Sequence, residues 1–63
     1  MENLTLGQVR MLRKKTQKEC ADALNIHVST YRRLEKNPSD FTVEQAKTLC
    51  EFLGVAYDDV FFS

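Results

Sequence analysis

Three short motifs that start α-helices recur along this chain of 63 residues, and they constrain its fold more than any other feature. In each motif a threonine is followed three residues later by glutamine or glutamate, so that each side chain can bond the backbone N–H of the other residue. These capping boxes pair Thr5 with Gln8, Thr16 with Glu19, and Thr42 with Gln45. They predict that helices begin near Leu6, Gln17 and Val43.

Apolar spacing and helix-ending residues complete a prediction of five short helices. The basic pair at 14–15 suits the negative C-terminal end of the first helix, while Asn25 and Gly54 accept the left-handed conformation that ends the second and fourth. Pro38 prevents the third helix from continuing. The predicted helices span about residues 6–15, 17–24, 28–36, 43–53 and 57–61. No segment alternates with a period of two, so the sequence predicts an all-α fold.

The apolar residues at helical spacing also predict the inner face of each helix. Those faces are Leu6, Val9 and Leu12; Cys20, Ala21 and Leu24; Tyr31 and Leu34; and Ala46, Leu49, Cys50 and Leu53. The two cysteines are expected to be free, buried thiols, as is usual in a reducing compartment. His27 is the only histidine, and a zinc site needs more ligands at close spacing. We therefore expect no metal and no cofactor.

The length of the chain limits it to one domain, over residues 1–63, and so small a core makes its stability marginal. Dimerisation is one common way to support such a domain. The apolar runs are too short to span a bilayer, and residues 1–3 do not begin a signal-peptide pattern. We therefore expect a cytoplasmic protein with no membrane partner.

The charges are divided unevenly between the two parts of the chain, although the net charge is zero. Residues 1–36 carry eight basic and four acidic side chains, a net charge of +4, whereas residues 37–63 carry one basic and five acidic side chains, a net charge of −4. A basic half can face phosphate while the acidic half faces water. The alternative is that the charges are scattered by chance over a solvated surface.

The segment over about residues 17–36 meets the steric requirements of a helix-turn-helix. Two helices that cross at a steep angle need a small residue at the crossing, and Ala21 provides it. The turn between them needs a residue that tolerates positive φ, and Asn25 is the best choice after glycine. The sequence therefore predicts a helix-turn-helix in this segment.

The spacing of these features over residues 6–61 resembles the helix-turn-helix family of phage repressors and Cro proteins, to which many bacterial regulators also belong. The resemblance rests on Thr16-Gln17, Arg10, Glu35, Leu53-Gly54-Val55 and Asp58-Asp59-Val60-Phe61. It implies a lambda-repressor-like domain of five short helices that binds double-stranded DNA.

Four positions depart from the pattern of this family. Asn25 replaces the usual turn glycine, and Lys15 stands where an apolar residue is common. Ala56 replaces a capping serine before the last helix. His27 replaces the serine or threonine that usually caps the third helix, which is expected to weaken that cap by about 1 kcal/mol.

The candidate DNA-binding residues lie on the third helix and at the start of the second. Because Tyr31 and Leu34 face inward, the residues on the opposite face are the predicted base-reading residues, which are Val28, Ser29, Arg32 and Arg33. The resemblance implies that the N-terminus of the second helix meets phosphate. The predicted phosphate contacts are Thr16, Gln17, Lys18, His27, Lys36 and Asn37. For Thr16 and Gln17 the alternative is a cap and an ordinary surface residue.

The resemblance also implies two further contacts. One is a structural ion pair between Arg10 and Glu35, with unrelated surface charges as the alternative. The other is a dimer or partner contact through Tyr57 and Phe62 in the acidic half, with completion of the core as the alternative for Phe62.

The leading hypothesis for function is a sequence-specific transcription regulator of Cro or repressor type, from a phage or prophage, that binds a two-fold DNA operator as a homodimer. The alternative is a protein-interaction module of the same fold, which binds a partner repressor or toxin with little DNA binding of its own. The zero net charge favours this alternative. We expect no enzyme and no small-molecule substrate, because the chain has no nucleophile with a base, no paired carboxylates in a pocket and no phosphate loop.

Overall fold

A computed structural model describes residues 5–61 of the chain, and this part is entirely helical. The elements are α1 (Leu6–Leu12), α2 (Gln17–Leu24), α3 (Val28–Lys36), a 3-10 turn (Pro38–Asp40), α4 (Val43–Leu53) and α5 (Tyr57–Phe61). Five α-helices and no strand over this range confirm the predicted fold class. None of these helices is both long enough and apolar enough to cross a membrane.

All three predicted capping boxes are formed, and they start α1, α2 and α4 at the predicted residues. At the start of α2, the Thr16 hydroxyl accepts a hydrogen bond from the Glu19 N–H at 3.0 Å, and the Glu19 carboxylate accepts one from the Thr16 N–H at 2.8 Å. The bond from the Thr16 backbone holds the pKa of Glu19 below its ordinary value. Local side-chain chemistry therefore fixes where these helices begin.

The helices α1, α2 and α4 end in the same way, with one residue in the left-handed conformation. These residues are Lys14, Asn25 and Gly54, with φ of 59°, 59° and 72°. In each case the next N–H reaches back five residues, from Lys15 to the Arg10 carbonyl, from Ile26 to Ala21 and from Val55 to Cys50. This bond and its shorter companion form a Schellman motif. The predicted ends of α2 and α4 are confirmed.

The end of α1 was predicted wrongly, because the helix stops at Leu12 rather than at the two lysines. Lys14 takes the left-handed conformation that asparagine and glycine take at the other helix ends. That conformation costs a residue with a Cβ about 1 kcal/mol, so the sequence carries no signal for it at a lysine. The surrounding bonds hold it, since the Lys14 N–H donates to Met11 and the Lys15 N–H donates to Arg10.

Among the residues whose side chains the structure describes, ten form the buried core, and all of them are predicted inner-face positions. They are Leu6, Val9, Cys20, Ala21, Tyr31, Leu34, Ala46, Leu49, Cys50 and Leu53. Leu24 is half-buried against this core. The prediction that Leu12 faces inward is wrong, because Leu12 is 67% exposed. Each step of three residues along a helix turns about 60° short of a full circle, so two steps from Leu6 carry Leu12 away from the inner face.

Tyr31 stands at the centre of the core and joins α3 to its neighbours. Its side chain is fully buried, and its ring meets the Phe41 ring edge-on, with centroids 6.2 Å apart. Its hydroxyl lies against the Cys20 thiol, and no other group within residues 5–61 forms a hydrogen bond with it. Burial raises the pKa of Tyr31, Cys20 and Cys50. All three side chains are therefore kept protonated, and they serve as parts of the apolar core.

Candidate nucleic-acid interface

Ala21, which the sequence analysis placed at the crossing of α2 and α3, is a core residue of α2. This residue is completely buried, and α2 packs against both α3 and α4. The Ala21 carbonyl also accepts the Ile26 N–H at 3.0 Å, so the same residue supports the turn that leads into α3. Asn25 occupies that turn with φ of 59°. The sequence thus sets the direction in which α3 leaves α2.

One face of α3 is open to solvent, and the opposite face is buried in the core. Tyr31 and Leu34 are buried, and the exposed residues of the helix are Ser29, Arg32, Arg33 and Lys36. Val28, which the sequence analysis placed on the open face, is half-buried and packs against the core. It is the first residue of α3 and follows the turn directly, so its apolar side chain covers the edge of the core.

His27 is the N-cap of α3. Its Nδ1 accepts a hydrogen bond from the Ser29 N–H at 3.2 Å and lies 2.9 Å from the Ser29 hydroxyl oxygen. The imidazole therefore takes the capping role that serine or threonine usually has. The predicted loss of cap strength stays a prediction. With Nδ1 as the acceptor, the neutral ring carries its proton on Nε2. The side chain is exposed, so this N–H is available to a ligand.

The N-terminus of α2 has two backbone donors that its capping box does not use. The box engages the N–H groups of Thr16 and Glu19, which leaves those of Gln17 and Lys18. Such groups at a helix N-terminus form an anion-binding site. The Lys18 ammonium lies 3.0 Å from the Asp22 carboxylate, but both side chains are largely exposed, so this pair holds the lysine only weakly.

The Arg10 and Glu35 side chains meet between α1 and α3. Arg10 Nε donates to Glu35 Oε1 at 3.0 Å, and the two side chains are only 16% and 9% exposed. Arg10 Nη1 also donates to the Lys15 carbonyl at 2.9 Å. The pair therefore ties three segments together, namely α1, the α1–α2 connection and the end of α3. Its role is architectural, since neither side chain is free to contact a ligand.

The Gln17 side chain forms hydrogen bonds with the Glu35 carboxylate and with Arg32 on the open face of α3. Its Nε2 donates to Glu35 Oε2 at 2.8 Å, and its Oε1 accepts from Arg32 Nε at 3.4 Å. The sequence analysis assigned Gln17 to phosphate, whereas the structure commits its side chain to protein partners. Its backbone N–H remains the group that can meet phosphate. These bonds also place the start of α2 beside the exposed residues of α3.

Three contacts near this network were not predicted by the sequence analysis. A Cβ at Gly7 would lie 2.9 Å from Glu35 Oε1, so a side chain there would require the Glu35 carboxylate to shift. Arg13 donates to the Gly54 carbonyl at 2.8 Å, and Lys15 Nζ lies 5.1 Å from the centre of the Phe52 ring. Arg13 thus binds the residue that follows α4, and Lys15 contacts an aromatic ring of α4, which explains why Lys15 can stand at a position that is often apolar. No sequence signal identifies these long-range partners.

The other predicted site residues are placed as follows. Thr16, Lys18, Lys36 and Asn37 are exposed, and Asn37 ends α3. Tyr57 is half-buried on α5, which packs against α4. Phe62 lies outside the described residues. The structure therefore brings together the start of α2 and the open face of α3, and of the predicted partner-contact residues it describes Tyr57, on α5.

Breaking the Arg10–Glu35 pair is expected to destabilise the fold. Arg10→Ala or Glu35→Ala should each lower the free energy of unfolding by about 1–2 kcal/mol, because the remaining charge stays mostly buried without its partner. The double variant should lose less than the sum of the two. Urea denaturation of the four proteins measures this coupling. The exposed Lys18–Asp22 pair is the matched control, and its coupling should be about 0.3–0.5 kcal/mol. Equal coupling in the two pairs would contradict the architectural role.

A family model described as Helix-turn-helix matches residues 6–60 of the chain. The match covers nearly all of the described residues and includes α2, the turn and α3. The resemblance inferred from the sequence motifs is thereby confirmed. No curated protein and no solved structure shows a significant match to the chain.

Proposed function

The chain belongs to the Cro/C1-type helix-turn-helix family of DNA-binding transcription regulators, and from this premise we propose that it recognises a two-fold operator sequence with α3 in the major groove. One observation carries the proposal. The open face of α3 presents Ser29, Arg32 and Arg33 beside the free backbone donors at the start of α2. An α-helix fits the major groove, where each base pair shows a distinct pattern of donors and acceptors.

The base-reading role is assigned to the open face of α3. Arg33 is exposed and has no hydrogen-bond or ion-pair partner for its guanidinium within residues 5–61, so it can bond both acceptors of a guanine. Arg32 is exposed beside Gln17. Ser29 can donate to or accept from a base edge, and the exposed part of Val28 can touch a thymine methyl group.

Phosphate contacts are assigned to groups on both sides of this helix. The backbone N–H groups of Gln17 and Lys18 and the Thr16 side chain serve one strand at the start of α2. The Nε2–H of His27 and the side chains of Lys36 and Asn37 lie at the two ends of α3. These contacts fix the position of the protein on the duplex, but they carry no sequence information.

The charge division of the chain supports this orientation. The segment that contains α1, α2 and α3 lies within residues 1–36, which carry a net charge of +4, while α4 and α5 lie in the part with a net charge of −4. A protein with zero net charge can therefore still present a positive surface to phosphate. Because Arg10 and Glu35 pair with each other, one positive and one negative charge are removed from that surface, and its net charge is unchanged.

The binding test is a titration of fluorescently labelled random duplex DNA at several salt concentrations. We expect the logarithm of the association constant to fall linearly with the logarithm of salt, because cationic contacts displace counterions from the duplex. Each phosphate that a lysine or arginine neutralises should add about −0.9 to the slope. Absence of binding at low salt, or binding that does not respond to salt, would contradict the proposal.

The two-fold operator requires a second copy of the chain, and we assign the dimer contact to α5 in the acidic half. Tyr57 and Phe62 are apolar residues of this region, and a contact there leaves α3 free for DNA. Sedimentation equilibrium in the presence of an operator-length duplex tests it, with the expectation that Tyr57→Ser and Phe62→Ser weaken the 2:1 complex. A 2:1 complex of unchanged stability in both variants would count against this surface.

A second candidate function is a protein-interaction module, and one observation favours it. Met11 and Leu12 are each 67% exposed at the end of α1, and Phe52 is 37% exposed on α4. In the connection that follows α1, Arg13 donates to the Gly54 carbonyl and the Lys15 ammonium lies over the Phe52 ring. Adjacent exposed apolar side chains are typical of partner contacts. Failure to bind any duplex at low salt would make this the better account.

A further inference from the structure

The Gln17 side chain links the Arg10–Glu35 ion pair to Arg32, an exposed arginine of α3. Glu35 uses one carboxylate oxygen for Arg10 and the other for Gln17, at 3.0 and 2.8 Å. Gln17 in turn accepts a hydrogen bond from Arg32 at 3.4 Å. A continuous chain of three hydrogen bonds thus runs from α1, through the buried carboxylate and the start of α2, to the open face of α3.

The chemistry of the partners fixes the orientation of the Gln17 amide. A carboxylate can only accept hydrogen bonds, and a guanidinium can only donate them. The amide nitrogen must therefore face Glu35, and the amide oxygen must face Arg32. The opposite orientation would set oxygen against oxygen and N–H against N–H, so only one orientation satisfies both partners. Each bond has one charged partner, and the bond to the carboxylate is the shorter and therefore the stronger of the two.

The hydrogen bond that Arg32 donates to Gln17 restrains the arginine without occupying the end of its side chain. It uses Nε and leaves the two terminal nitrogens, which are the atoms that can reach the two acceptors of a guanine. Arg33, one residue further along α3, is equally exposed but has no such partner within the described part of the chain. The two arginines therefore differ in how much side-chain freedom each must lose on binding.

We propose that Gln17 is a positioning residue that holds Arg32 ready for base recognition, so that a residue of α2 contributes to sequence specificity without touching a base. This assignment rests on the proposed DNA-binding function. It predicts that the contribution of Gln17 is confined to the base pair that Arg32 reads. A purely structural role would instead weaken binding at every base pair alike.

The test compares variants at position 17 by their discrimination between base pairs. Affinities are measured for a selected operator and for its complete set of single base-pair substitutions, and the base pair whose discrimination is lost in Arg32→Ala identifies the position that Arg32 reads. Gln17→Met keeps the length of the side chain but removes both bonds. It should reduce discrimination at that base pair about three- to tenfold and leave the base pair read by Arg33 unchanged.

A second variant separates the two bonds of Gln17. Gln17→Lys can still donate to Glu35 but cannot accept from Arg32, and it adds a positive charge beside phosphate. It should bind all duplexes as tightly as the wild type or more tightly, and yet lose discrimination at the Arg32 base pair. In an Arg32→Ala background, Gln17→Met should have no further effect on that base pair. Thermal unfolding of each variant checks that the fold is retained.

The possible outcomes separate this assignment from the function on which it rests. A wild-type protein that prefers no sequence contradicts the DNA-reading function and, with it, the role of Gln17. A wild-type protein with a clear preference contradicts the role of Gln17 alone if Gln17→Met keeps the full discrimination at the Arg32 base pair. Equal losses at all base pairs overturn it as well. A loss confined to the Arg32 base pair supports it.

Discussion

Ala21→Leu is expected to lower the melting temperature by about 5–20 °C, or to leave the protein unfolded at room temperature. Ala21 is completely buried where α2 packs on α3 and α4, and its carbonyl accepts the N–H of the turn residue Ile26. An isobutyl side chain in place of the methyl group must displace its neighbours, and overpacking of this kind costs about 1–3 kcal/mol. In a domain of this size each kcal/mol changes the melting temperature by about 4–8 °C.

Circular dichroism at 222 nm during heating measures this loss, and Ala56→Leu is the matched control. Ala56 is exposed before α5, so the same change of side chain should leave the melting temperature within a few degrees of the wild type. Equal melting temperatures for Ala21→Leu and the wild type would mean that the helices do not cross closely at this residue.

Arg33→Ala is expected to weaken binding to the preferred operator by about 1–3 kcal/mol for each half-site and to remove the preference at one base pair. The Arg33 guanidinium is exposed and unpartnered within the described residues, one turn after the exposed Ser29. A bidentate bond to guanine is lost in the variant, whereas the phosphate contacts remain. Arg32→Ala should have a smaller effect, because Arg32 lies one turn after the half-buried Val28, nearer the edge of the open face.

Lys36→Ala is the control for the arginine variants, since it removes an exposed cation from the same helix. It should weaken binding to the operator and to a scrambled duplex about equally and make the salt slope shallower by about one unit. If Arg33→Ala also weakens both duplexes equally, Arg33 is a phosphate contact rather than a base-reading residue. If neither arginine matters on any DNA, the protein-interaction function becomes the better account.

Much of the fold was predictable because local chemistry decides it. A threonine with glutamine or glutamate three residues later satisfies backbone donors at a helix start wherever it occurs, and all three such pairs do so here. Asn25 and Gly54 mark helix ends because they accept positive φ at low cost. The bounds of α2 and α4 therefore follow from local signals, and the approximate bounds predicted for α3 and α5 agree with those observed.

The errors fall where tertiary contacts override local preference. The left-handed conformation of Lys14 is held by the backbone bonds that end α1, and the residue type gives no sign of it in the sequence. Leu12 has the spacing of an inner-face residue. Because three residues fall short of a full helical turn, its side chain nevertheless faces solvent. Val28 was assigned wholly to the open face, although its place directly after the turn buries half of it against the core.

The candidate site was predictable in part, for a related reason. The open face of α3 follows from helical periodicity, because burial of Tyr31 and Leu34 determines what faces away. The partners of Gln17 do not follow from periodicity, since its bonds to Glu35 and Arg32 join positions 18 and 15 residues away. The steric demand on Gly7 likewise appears only once the Glu35 carboxylate is in place.

The most direct measurement of the central claim is a comparison of affinities for two duplexes at one salt concentration. The first duplex is selected by the protein from a random pool, and the second has the same composition in scrambled order. The account predicts two-fold related half-sites in the selected duplex, spaced about one helical turn apart, and an affinity at least about a thousandfold above that for the scrambled duplex. Equal affinities for the two duplexes would contradict sequence recognition by α3.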